Sequence, residues 1–159
     1  MEVKLFAKDD LALAVQLVDE LWGDTKMVLR GQLVDVHDAD GAVLVYDGAA
    51  IAGILTYIIL EDKFEILTFN SLIEHKGVGR MLMDVAIQIA KESHYDEVWV
   101  LTTNDNTRAL KFYQRYGFAL VRVNFNALDA SRQLKPEIPE FGADNIRLDH
   151  EFILKLALV

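Results

Sequence analysis

Glu74-His75-Lys76-Gly77-Val78-Gly79-Arg80 follows the apolar run Ile66-Leu67-Thr68-Phe69 and precedes an amphipathic segment, and this junction decides the fold. Two glycines at a strand-to-helix turn let the backbone approach a ligand, because no side chain stands in the way. The N–H groups and positive dipole end of the following helix suit phosphate oxygens, so a pyrophosphate-bearing cofactor is expected. The P-loop fits poorly, since it ends Gly-Lys-Ser/Thr and Gly79 is followed by Arg80-Met81. The dinucleotide fingerprint also fits poorly. It needs a third glycine where Leu82 stands, after the first strand of a domain and not after a fourth.

Outward from this turn, residues 3–6, 42–46, 51–60 and 64–70 read as strands, with Asp47-Gly48 as the hairpin turn between the middle two. Asp9 or Asp10 caps a first helix on which Leu11, Val15, Val18 and Trp22 recur at helical spacing, and Gly23 ends it. Residues 24–39 show no clean period and read as a short helix and loop. Beyond the glycine turn, Val78, Leu82, Val85, Ala86 and Ile89 form the buried stripe of a helix. Residues 97–103 are a central strand, rich in Val and Trp. Asn106 or Asp105 caps a helix over 107–116, and residues 118–124 and 151–158 alternate as paired strands. Pro136 and Pro139 mark an irregular connection, and Trp22 and Trp99 read as core.

These residues resemble the GNAT superfamily of N-acyltransferases. Its pyrophosphate turn, Arg/Gln-x-x-Gly-x-Gly/Ala, is matched by Gly77 and Gly79, with Glu74 in the leading position. A second signature, Asn-x-x-Ala-x-x-Phe-Tyr-x-x-x-Gly-Phe, is matched by Asn106, Ala109, Phe112, Tyr113, Gly117 and Phe118. The resemblance covers residues 3–125 and implies an α+β (α/β) fold: a mixed, mostly antiparallel sheet of six or seven strands with helices on both faces. The whole of 1–159 is then expected to be a single acyl-CoA N-acyltransferase domain.

Composition agrees with one such domain. A chain of 159 residues can bury a single core, and 52% hydrophobic residues argue against disorder. The longest apolar stretch, residues 49–60, is too short to span a bilayer, and charges interrupt the first ten residues, so no signal-peptide core is read. Without cysteine there is no disulfide scaffold, thiolate metal site or cysteine nucleophile. The reading is a soluble cytoplasmic protein, not membrane-bound. A net charge of −9 argues against nucleic acid and is compatible with a cationic amine substrate. A homodimer stays open.

The resemblance implies acetyl-CoA as co-substrate and direct acetyl transfer to a primary amine. Cofactor contacts are expected from Phe69, Asn70, Ser71, His75, Lys76, Gly77, Val78, Gly79, Arg80, Asn106, Ala109 and Phe112. The resemblance makes Tyr113 the general acid for the leaving thiolate. A phenol of pKa about 10 is a fair donor to a thiolate of pKa about 8.5. The resemblance offers Glu65 as the candidate base, with a water chain as the alternative that other family members use, set against a plain reading as an exposed residue at a strand entrance, like Glu61 and Asp62. Asp35, His37, Asp38 and Asp40 lack EF-hand spacing and a second histidine, so they read as a polar turn and no metal site is assigned.

The acceptor site is expected in the irregular segments 22–39 and 130–149. Asp24, Asp35, Asp38 and Asp40 in one, and Glu137, Glu140, Asp144 and Asp149 in the other, would form acidic walls. The alternatives are a non-catalytic acyl-CoA-binding or sensing module, marked by Glu74, and a GNAT-like protein-interaction subunit.

Overall fold

The computed structural model describes residues 1–158. In chain order the elements begin with β1 (Glu2–Ala7), α1 (Ala12–Trp22), β2 (Lys26–Leu29), β3 (Gln32–Asp35), β4 (Gly41–Asp47), β5 (Ala50–Leu60) and β6 (Lys63–Ser71). They continue with α2 (Val78–Glu92), β7 (Glu97–Thr103), α3 (Thr107–Tyr116), β8 (Ala119–Asn124), α4 (Ala127–Leu134) and β9 (Glu151–Ala157). Seven of the strands form the mixed, mostly antiparallel sheet that was expected, and β2 pairs with β3 alone. The chain divides into two compact units, with boundaries that fall inside β3 and β7 as well as beside β2 and β9. One unit is Met1–Thr25 with Asp35–Val98 and Leu158, and the other is Lys26–Val34 with Trp99–Ala157.

In the first unit β1, β4, β5 and β6 are joined in that order, each antiparallel to the next. Val43, Leu44 and Val45 are consecutive and fully buried, as are Ile54 and Leu55, so both faces of these strands are covered. The β4–β5 connection turns at Gly48, with φ +63°, as Asp47-Gly48 predicts. The β5–β6 connection turns through Glu61 and Asp62, both left-handed at φ 50° and 62°. Helix α2 buries Val78, Leu82, Met83, Ala86, Ile87 and Ala90. The buried stripe is thus rotated from the expected one: Val85 and Ile89 lie half-exposed at its edge. Gly53 makes the close fit to β5. A Cβ there would stand 2.6 Å from Val78 Cγ1 and 2.9 Å from Leu82 Cδ1.

In the second unit the order is β7-β9-β8, and β8 runs antiparallel to β9 with Leu120 opposite Leu154. The pairing of 118–124 with 151–158 is therefore borne out. The segment 24–39 is not a helix and loop. It holds the β2–β3 hairpin, whose turn residues Arg30 and Gly31 are left-handed at φ 50° and 75°, followed by a 3-10 turn at Val36–Asp38. Two consecutive left-handed residues match the right-handed strand twist, which is why so short a hairpin closes.

The carboxylate of Glu151, 1% exposed, accepts from Arg30 N at 3.1 Å and from Asn124 Nδ2 at 3.1 Å. A buried charge needs such donors, and these bonds pin the hairpin turn to β8 and β9. The connection after β8 also contains helix α4, which sequence periodicity does not reveal. Two expectations about α1 fail as well. Neither Asp9 nor Asp10 caps it, since the cap position is Leu11 with no side-chain bond. Trp22 is not core: it is 51% exposed and donates from Nε1 to Asn70 Oδ1 at 2.9 Å.

Candidate active site

The glycine turn begins where β6 leaves the sheet. Gly77 occupies the cap position of α2 with φ 71° and ψ 17°, a left-handed conformation in which a Cβ is disfavoured. No side chain caps this helix end, and the first intrahelical bond there runs from Met81 N to Gly77 O at 3.0 Å. Helix geometry leaves the N–H groups of the first turn without intrahelical acceptors, and the dipole adds positive potential. The turn therefore presents main-chain N–H groups of the kind that suit an anion. Around it His75, itself left-handed at φ 62°, Lys76 and Arg80 are exposed. Glu74, in the position where the family carries Arg or Gln, lies 3.8 Å from His75 Nε2 on the surface. Val78 is buried against Gly53, so its side chain belongs to the core and only its backbone faces the turn.

Phe69, Asn70 and Ser71 are half-buried at the end of β6, opposite Leu55, Ile54 and Gly53 of β5. Further back the register slips: Thr56 faces Thr68 while Tyr57 faces Ile66, which makes Leu67 the extra residue of a bulge. A bulge interrupts the ladder and re-aims backbone donors. The Thr56 and Thr68 hydroxyls bond each other at 2.6 Å beside it, so these two buried groups are satisfied without solvent. Glu65 sits one residue before the slip and is 2% exposed. The plain reading of Glu65 as an exposed strand-entrance residue is wrong, whereas Glu61 and Asp62 are exposed as that reading supposed.

In the second unit the spacing of the second signature has a visible cause. Asn106 Oδ1 accepts from Ala109 N at 3.2 Å and caps α3. At the other end Gly117 takes φ 130°, which lets Gly117 N and Phe118 N both donate to the Tyr113 carbonyl, at 3.1 and 2.9 Å. The Tyr113 backbone is thereby fixed. Its ring packs edge-on to Phe112 at 6.0 Å and lies 5.7 Å from Phe118. Tyr113 is 5% exposed, and burial pushes its phenol above the usual tyrosine value, so it holds its proton at neutral pH.

Asn104 and Asp105, which sequence inspection does not single out as a pair, hold the connection 142–150. Asn104 Oδ1 accepts from Asp149 N and His150 N, both at 2.9 Å, and its Nδ2 donates to Arg147 O at 2.8 Å. Asp105 accepts from Ala143 N at 3.0 Å, with Gly142 so close that any side chain there would collide. The acidic walls are partly engaged elsewhere. Arg147 pairs with Glu140 at 2.6 Å and Asp149 at 3.1 Å, and Asp40 accepts from Ile59 N at 2.7 Å and faces Lys8 at 3.5 Å. Asp35 accepts from His37, so the polar-turn reading of this stretch holds for that pair.

Each unit thus carries one of the two local signatures read from the sequence: the glycine turn after β6 in one, and the buried tyrosine near the end of α3 in the other. The model of the acetyltransferase (GNAT) family matches residues 11–118, and the chain belongs to that family. Membership carries the acyltransferase class, with acetyl-CoA as co-substrate. The uncharacterised Bacillus subtilis protein YxbD is 37% identical over 133 residues, 84% of each chain. Streptothricin acetyltransferase of Streptomyces lavendulae is 34% identical over 89 residues, 52% of this chain and 47% of that one. Among solved structures, a Bacillus subtilis acetyltransferase in complex with CoA superposes with a TM-score of 0.68 over 99% of both chains at 19% identity. Among the described residues no helix is long and apolar enough to cross a membrane.

Proposed function

We propose that the chain moves acetyl from acetyl-CoA to a primary amine by direct attack, within one domain that includes both compact units. The observation that carries this reading is the uncapped start of α2 behind left-handed Gly77, which offers main-chain donors to a pyrophosphate. Lys76 and Arg80 add charge at the rim. Phe69, Asn70 and Ser71 supply backbone contacts to the pantetheine arm, with Asn106, Ala109 and Phe112 of α3 as further contacts.

The amine nitrogen attacks the thioester carbonyl, the C–S bond breaks, and the thiolate takes the Tyr113 proton. Burial makes Tyr113 a weaker acid but keeps it a hydrogen-bond donor, which suits polarising the thioester before transfer. A primary amine of pKa about 10.4 is mostly protonated at pH 7, which costs roughly 4–5 kcal/mol to reverse. Glu65, buried beside the β6 bulge, is the group that takes this proton. A cytoplasmic location goes with this reading.

Calorimetry with acetyl-CoA, followed by thiol release across polyamines, aminoglycosides, amino acids, peptides and streptothricin, tests it. Micromolar binding with thiol release on at least one amine is expected. Binding without thiol release across the whole panel would instead indicate a sensor, and absence of binding would indicate an interaction subunit.

A further inference from the structure

Beside α1 the first unit has an open groove of about 560 Å3, within the range of small-molecule sites. Leu11, Ala12 and Val15 give it an apolar strip, and Asp19, Thr25 and His37 give it a polar rim. No lysine or arginine lines it. Asp19 lies in the last turns of α1, where the helix end carries partial negative charge, and α1 has no basic residue in its last turn to offset this.

His37 is set by its neighbour. Asp35 Oδ1 accepts from His37 N at 3.0 Å and lies 2.7 Å from His37 Nδ1. Burial pushes the Asp35 carboxyl up, but bonds from the His37 backbone and ring and from Thr25 outweigh it and hold the carboxyl below its usual value. An ionised carboxylate only accepts hydrogen bonds, so the ring hydrogen sits on Nδ1. In the neutral ring Nε2 is then the acceptor left for a ligand. The groove lining thus combines the Asp19 carboxylate and the His37 imidazole with the apolar side chains of Leu11, Ala12 and Val15.

We propose that this groove binds a small primary amine, its ammonium held by Asp19 and His37 and its apolar body along Leu11, Ala12 and Val15. The site rests on its own geometry; the amine's role as acetyl acceptor rests on the acetyl-transfer reading. Asp35 is a positioning residue here, acting through the His37 ring.

The probe is 2-phenylethylamine, titrated at pH 8 into the full 15N-labelled chain, with 2-phenylethanol as the uncharged control. Amide shifts should concentrate at Val15, Asp19, Thr25 and His37, and the alcohol should bind more weakly. Asp19→Asn and His37→Phe should each weaken the amine by about 3-fold, the scale of an exposed charge contact. Acetyl-CoA affinity and the remaining spectrum should stay unchanged, which shows that the variants fold. Shifts elsewhere, equal binding of amine and alcohol, or variants binding like wild type would overturn the groove. Acetyl-CoA binding without any amine binding removes the groove and leaves the acetyl-transfer reading standing. Amine binding without acetyl-CoA binding does the reverse.

Discussion

At the start of α2, Glu74, His75, Lys76 and Gly77 are all exposed and the proposed co-substrate contacts come from the main chain, whereas at the end of α3 Tyr113 is almost wholly buried and the proposed chemistry lies in its side chain. The two regions fail differently when changed. A cradle of N–H groups depends on φ and ψ more than on the side chains around it. A single phenol oxygen has no substitute.

The largest effect separating the two should come from Tyr113→Phe. The proposed acid is removed while ring packing against Phe112 and Phe118 is kept, so turnover should fall by about 10²–10⁴-fold. Acetyl-CoA affinity should move little, and wild-type turnover in this variant would retire the role. Next in size is Leu82→Ala, a fully buried residue of α2 packed at Gly53, which should cost about 2–5 kcal/mol in denaturant unfolding.

Gly77→Ala is a cleaner probe of the turn. A Cβ there meets no atom within 4 Å, so only the left-handed φ opposes it, at about 1–2 kcal/mol. Acetyl-CoA affinity should drop about 10-fold, with partial recovery in Gly77→Asn, and turnover at saturation should survive. An undiminished affinity would mean that the turn does not set the site. Lys76→Ala should be smallest, a few-fold loss that disappears at high salt.

The buried phenol also gives a pH signature. In the unfolded chain tyrosine titrates near about 10, while in the folded chain Tyr113 titrates higher, so the unfolded state gives up its proton first. Stability from Tyr113 is therefore complete below pH of about 10 and is lost as pH rises toward the folded value. Urea unfolding of wild type should decline more steeply than that of Tyr113→Phe above that pH. Parallel curves would show that the phenol is not desolvated.

What sequence could show follows the range of the forces involved. The β4–β5 turn, the glycine turn and the Asn106 and Gly117 ends of α3 are local patterns, each closed within a few residues, and each is readable. Arg30-Gly31 gives a weak turn signal between four-residue strands, and α4 has eight residues, too few for a period to emerge. Their positions depend on distant partners: Glu151 for Arg30, and the Lys135 ammonium donating to Lys26 O at 2.7 Å. The burial of Glu65 and the exposure of Trp22 likewise come from tertiary packing. The Asn104 clamp was invisible for the same reason, since its partners lie more than 40 residues away. For the candidate site, residue types and spacing were legible, while the groove beside α1 depended on a histidine brought to the helix by the fold.

The claim that a main-chain cradle at Gly77 receives the co-substrate is tested most directly by amide NMR of the full chain during titration with acetyl-CoA. The largest downfield shifts should fall on Val78, Gly79 and Arg80, and they should persist in Lys76→Ala. Saturable binding that leaves these three amides unmoved would contradict it.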